Sequence, residues 1–280
     1  MSESLVALVT ALGDDELILG HRHAEWTGFA PHIEEDVAFS SIAQDEIGHA
    51  AAYYSIASSL TGLTRDAIAL GRSATEYRHA VLCEQPNSDW AYTITRQWLY
   101  DRADCLRLTV LEESADDDLR HLAIKIRREE RYHLIHSDMW MERIAQGPIE
   151  GRSKLAQATT TVLSAAAGLF EPFEREAEAI EEGWLTVSSE VLGRRFVGEA
   201  VDALDQLGLP AGVVPPGWQT EFVASSSGDL IAADRDEPRE ASVTGGLAGL
   251  GGRSGRHSPD FSGLWTDMTR TYRSDPEATW

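Results

Sequence analysis

Sulfur is scarce in this chain of 280 residues, which holds two cysteines, Cys83 and Cys105, and four methionines. Two thiols give no disulfide framework and too few ligands for an iron–sulfur cluster or a thiolate zinc site. They suit a reducing cytoplasm, and both are read as small buried packing residues. Positive charge is the second shortage. Lys and Arg number 24 against 46 Asp and Glu, for a net charge of −22 and a pI near 4.7. Such a chain repels phosphate backbones, so no nucleic-acid partner is expected. The charge favours solubility and can select a basic partner subunit. Long apolar runs are missing too. None approaches the roughly 18 residues of a membrane span, so no membrane association is expected. The N-terminus lacks a basic region ahead of its apolar residues, so no signal peptide is expected and the chain is assigned to the cytoplasm. Strand-like alternation of useful length is also absent.

What is present is helical periodicity. Leu5, Leu8, Val9, Leu12, Glu16 and Leu19 share one helix face, which places the Glu16 carboxylate on an apolar stripe. A turn at Thr27–Pro31 leads to a second helix from about Ile33 to Leu60, closed by Gly62. A shorter helix is expected near 64–83, and Glu84–Asp89 breaks it. A long helix from about Asp89 carries Trp90, Ile94, Trp98, Asp101 and Cys105 on one stripe. The next, from about Asp116 to Ala145, carries Leu119, Leu122, Ile126, Glu130, His133 and Met141. Two further helices are expected over 150–183 and 188–207. Prolines at 210, 215 and 216 then interrupt the pattern, and the chain turns rich in Gly and Ser. The spacing predicts an all-α protein: a helical bundle over 1–210, then an extension over 211–280 with a flexible Gly-rich loop and a docking helix at Phe261–Tyr272.

Two stretches echo each other. Glu46-Ile47-Gly48-His49 follows Glu16 at 30 residues, and Glu130-Arg131-Tyr132-His133 follows Asp101 at 29. Residues three apart share a helix face. An interval of 30 residues is room for two antiparallel arms, which brings each lone acid beside its Glu-x-x-His. One acid from each of two helices and a Glu-x-x-His from each of two others is the ligand set of a ferritin-like di-iron bundle. The expected metal ligands are therefore Glu16, Glu46, His49, Asp101, Glu130 and His133. Carboxylates with imidazoles suit iron and manganese, and the expected cofactor is two Fe ions, with Mn an alternative occupant at one position.

Other residues receive plainer readings. Asp104 lies one turn beyond Asp101 and is the alternative acid, although the 29-residue interval favours Asp101. Glu112 and Glu113 fall too near the end of their helix. Asp45, Asp104 and Asp138 are the acceptors expected for the outer nitrogens of the ligand histidines. His136 is read as an outer partner or merely polar, and His21 and His23 as exposed. A third Glu-x-x-His, Glu76 to His79, is read as a solvated face.

Over nearly its whole length the chain resembles the phenylacetic acid catabolic family of oxygenase subunits. The resemblance is carried by Gly13–Gly20, His23–Trp26, Glu34–Ala38, Glu84–Asn87, Arg96–Asp101, Arg131–Ser137, the tail Gly252–His257 and the terminal Trp280. It is greatest to the C-type subunits of the phenylacetyl-CoA 1,2-epoxidase complex. The resemblance implies a related helical partner subunit, and a separate reductase is expected because no flavin, nicotinamide or iron–sulfur motif is visible in the chain. It also implies that A-type subunits carry the di-iron site, while C-type subunits have lost ligands and act as scaffolds. Where C-type subunits read Asp-x-x-Gly-Gln, this chain reads Asp45-Glu46-Ile47-Gly48-His49. The expectation is therefore a di-iron oxygenase acting on an organic substrate, aromatic or CoA-linked. A non-catalytic structural subunit is the alternative.

Overall fold

Apolar residues at helical spacing decide the architecture, and capping residues decide where each helix begins and ends. The computed structural model describes residues 2–226 and 249–276, and among these every regular element is helical. Helix α1 (Glu3–Ala24) starts on Ser2, whose hydroxyl accepts from the Leu5 amide, and α2 (Ile33–Thr61) stops at Gly62 with φ 77°. Short helices α3 (Arg65–Leu70) and α4 (Val81–Glu84) follow. Helices α5 (Trp90–Leu111) and α6 (Asp117–Ala145) are capped by Asp89 and Asp116. Then come α7 (Ile149–Ala165), α8 (Glu176–Glu181), α9 (Ser189–Gln206), α10 (Trp218–Ser226) and α11 (Pro259–Ser274).

Helices α1 and α2 pair along their length, α5 and α6 do the same, and α2 meets α6. The first pair is antiparallel, since Asp14 accepts from the Tyr54 hydroxyl at 2.6 Å while Glu16 faces His49 at 3.3 Å. Glycines set how closely these arms approach. A Cβ on Gly13 would lie 2.8 Å from the Tyr54 ring, and one on Gly20 2.9 Å from Ile47. The two glycines flank Glu16 and let α1 come close enough to α2 to bring Glu16 to Glu46.

Two expected helices are broken. The helix expected at 64–83 is divided into α3 and α4, with a 3₁₀ turn at Ala74–Glu76 between them. Arg72 donates to the Glu76 carbonyl and holds the Asp14 carboxylate, which favours a turn over a continued helix. The helix expected at 150–183 ends at Ala165 and passes through a 3₁₀ turn, Ala166–Phe170, before Pro172. Proline supplies no amide donor there.

Much of the Gly-rich stretch, 227–248, lies outside the described residues, as does the terminal Trp280. The part that follows the stretch is closely packed and not free as its composition suggests. A Cβ on Gly252 would fall 2.1 Å from the His79 carbonyl oxygen, so only glycine allows this backbone-to-backbone contact. Arg253 then enters the bundle, donating to both Asp15 oxygens at 3.0 and 2.6 Å, with Arg107 of α5 at 2.9 Å. Helix α11 lies on α3, α4 and the 74–76 turn.

Candidate metal centre

The four long helices bring all six sequence-predicted residues to the middle of the bundle. Glu16 comes from α1, Glu46 and His49 from α2, Asp101 from α5, and Glu130 and His133 from α6. None is more than 3% exposed. Ligand atoms of Glu16, Glu46, His49 and Glu130 lie within 4.8 Å of one another, and so do those of Glu46, Asp101 and His133. Glu46 belongs to both groups and stands between them. His49 Nδ1 is 3.3 Å from both Glu16 and Glu130, and His133 Nδ1 is 3.0 Å from Glu130 and 3.8 Å from Glu46.

These groups call for cations. Both oxygens of Glu46, both of Glu130, Oδ1 of Asp101 and Nδ1 of His133 are buried without an aligned hydrogen-bond partner. Burying so much unpaired carboxylate is costly unless positive charge sits among it. The titration behaviour of the metal-free cluster reflects this. Burial, then the neighbouring Glu16 carboxylate, pushes the Glu46 carboxyl well above its usual range, and burial with Glu130 does the same to Asp101. Burial works against the histidine charges, but Glu130 and Glu16 push His49 up to about 11, while Glu130 and Asp45 push His133 to about 10. Burial opposes ionisation of Glu130 also, yet the His133 and His49 imidazoles hold it below the usual carboxylate range. Protons thus do the neutralising that divalent ions would do. Four carboxylates and two imidazoles around two adjacent positions fit a pair of iron ions in donor type and number.

Outer contacts orient the set. His49 Nε2 is 2.9 Å from Glu129 of α6, and His133 Nε2 is 3.4 Å from Asp45 of α2. Each motif is therefore acid-Glu-x-x-His, and each leading acid serves the histidine of the opposite motif. This leaves both Nδ1 atoms facing inward, as a metal-binding histidine needs. Sequence reasoning named Asp45 but missed Glu129, although its place in the motif matches that of Asp45. On the Glu16 side, Tyr100 donates to Oε1 at 2.8 Å. Ser137 donates to Asp101 at 2.7 Å.

The remaining acids and histidines take separate places. Asp104 is buried but turns to Arg107, 3.2 Å away, and Asp138 takes Trp98 and Arg102. His136 pairs with Glu35 at 2.8 Å, and Glu112 with Arg127. His21 is half-buried. His23 is not exposed as expected. It is fully buried, 4.0 Å from Glu46 and packed against the Phe39 ring, with neither ring nitrogen hydrogen-bonded, because the helix end on which it sits is covered by α2. Burial, then the nearby Arg96 charge, drives its pKa well down, so it is a neutral imidazole at the edge of the centre. The reading of Glu76 and His79 as one solvated face is half overturned. Glu76 is exposed, while His79 is fully buried because the chain between them leaves the helix at Tyr77.

A bundle whose helices converge carboxylates and imidazoles in this way is of the ferritin-like class. The chain belongs to the family described as phenylacetic acid catabolic protein, whose profile matches residues 1–280. It is 36% identical over 277 residues, 99% of each chain, to the C-type subunit of the 1,2-phenylacetyl-CoA epoxidase of Escherichia coli (strain K12).

Proposed function

We propose that this chain is a metal-bearing subunit of a phenylacetyl-CoA epoxidase-type assembly, and that it binds two irons through Glu16, Glu46, His49, Asp101, Glu130 and His133 to oxygenate an organic substrate. The observation that carries this reading is the set of buried carboxylate oxygens and an imidazole nitrogen that converge without partners. Two ferrous ions held there would supply the electrons for dioxygen reduction, with further electrons delivered by a separate reductase in the cytoplasm. The protein's own part is positional. Glu129 and Asp45 fix the imidazoles, Tyr100 and Ser137 orient the terminal acids, and burial excludes water from the reacting atoms.

A second reading, a non-catalytic scaffold subunit, is favoured by the full-length identity to a C-type epoxidase subunit. The two part on metal content. Anaerobic reconstitution with ferrous iron should give close to two irons per chain and an optical change on exposure to oxygen. A folded chain that takes up no iron sinks the oxygenase reading and leaves the scaffold.

A further inference from the structure

A second convergence of metal-binding side chains lies apart from the bundle centre. His79 precedes α4, Glu84 ends it, and His257 comes from the segment before α11. His79 Nε2 is 2.6 Å from Glu84 Oε2, and His257 Nδ1 is 2.8 Å from the same oxygen. The two rings stack at 4.1 Å between centroids and 13° between planes. The side chains of His79 and Glu84 are fully buried, and that of His257 is 6% exposed.

Two imidazole nitrogens converge on one carboxylate oxygen, and the three ligand atoms lie within 4.8 Å of one another. His257 Nε2 faces the Tyr77 carbonyl oxygen at 3.1 Å, which can only accept, so Nε2 carries the proton. In a neutral imidazole that leaves Nδ1 as a lone pair pointing at a carboxylate oxygen. His79 points its Nε2 at the same oxygen, and its own Nδ1 is buried without a partner. An extra proton resolves the conflict by making an imidazolium. A divalent ion resolves it with both rings neutral. An N–H to a backbone carbonyl on the far side of the ring is the arrangement that fixes the tautomer of a metal-binding histidine. The carboxylate is likewise held, since the Ser258 amide donates to Glu84 Oε1 at 2.5 Å. Ser258 Oγ, next in the chain to His257, is buried without a partner.

We propose that His79, Glu84 and His257 form a second metal site for a zinc-class divalent ion, which clasps the C-terminal segment to the bundle. Two imidazoles and one carboxylate are a zinc-type donor set that leaves one tetrahedral position open. Zinc–nitrogen bonds of about 2.0–2.1 Å set tetrahedral ligand atoms about 3.3 Å apart, so the two nitrogen–oxygen separations must widen from 2.6 and 2.8 Å and the stacked rings must turn to aim their nitrogens at one ion. The clasp shares no residue with the bundle centre.

The test uses full-length protein stripped of metal, with Zn(II) and Co(II) as probes. The double variant His49→Gln/His133→Gln weakens the bundle centre and leaves the clasp. It should retain one zinc per chain, give the visible absorption of tetrahedral cobalt, and melt at a higher temperature with zinc than without. Adding His257→Ala should remove that equivalent and weaken zinc binding more than tenfold. His79→Asn should do the same, and serves if the His257 variant does not fold. A double variant that binds no zinc, or a clasp variant that keeps the same stoichiometry and cobalt spectrum, overturns the proposal and leaves a cluster held by protons alone.

Discussion

Glu129 and Asp45 are the residues whose roles the tertiary structure adds most plainly to the centre, because each reaches the outer nitrogen of a histidine on the other helix. Loss of such an outer partner costs about 10–100-fold in metal affinity, and loss of a ligand costs at least that. His49→Gln should therefore weaken iron binding more than Glu129→Gln does. Both should keep native circular dichroism, since Gln is a good helix former. Equal iron content in parent and His49→Gln would remove His49 from the ligand set. A second expectation concerns protons. His49 and His133 have pKa values near 11 and 10 in the metal-free protein, so both are charged at neutral pH. Ligation requires their neutral forms. Iron loading at pH 7 should release at least about two protons per chain, and affinity should rise with pH. A pH-stat titration that records no release contradicts this.

At the level of elements, Asp15 joins three segments. It accepts from Arg107 on α5, from Arg253 in the C-terminal segment and from the Ala80 amide. Burial would raise its pKa, but Arg253 and then Arg107 overcome this and hold it below the ordinary 3.8. A carboxylate depressed in this way contributes stability that is full above the unfolded value and is lost as pH falls through the lower folded value. The contribution is thus complete at neutral pH and disappears only in acid below about pH 4. Asp15→Asn leaves Arg253 buried without its anion and Arg107 with Asp104 alone, which costs about 3–5 kcal/mol. Denaturant unfolding at pH 7 should show that loss, and the gap between parent and variant should narrow in acid. Iron stoichiometry at neutral pH should hold, because Asp15 faces the arginines and not the centre.

The whole molecule is strongly acidic and carries large apolar side chains on its outer surface. Ile33 and Val37 on α2, Phe29 just before it, and Tyr132, Ile135 and Met139 on α6 are all about half exposed or more. Helices α2 and α6 also carry the paired motifs, and Tyr132 adjoins His133 in the chain. Exposed apolar groups of this kind mark interaction surfaces, and the occupant expected here is a related helical subunit. Light scattering should find the chain associated, either with itself or with a homologous partner. Ile135→Lys should weaken that association at least tenfold while leaving iron content unchanged. A monomer that turns over substrate with only a reductase would contradict it. Among the described residues no helix is long and apolar enough to cross a membrane.

The sequence by itself determined the class of fold and the six inward residues of the centre. Their legibility has a simple cause. Residues three apart share a helix face whatever surrounds the helix, and an acid on an apolar stripe must point inward. What lies across from a residue belongs to tertiary structure. His23 sits at a helix end that reads as exposed, and α2 covers it. Glu129 adjoins Glu130 on the same helix, but its partner is on another. His79 and His257 are 178 residues apart, and no local pattern relates them. They meet because Gly252 lets one backbone lie against another. Periodicity fixes the face a side chain takes, and only the packing of distant segments fixes what it meets.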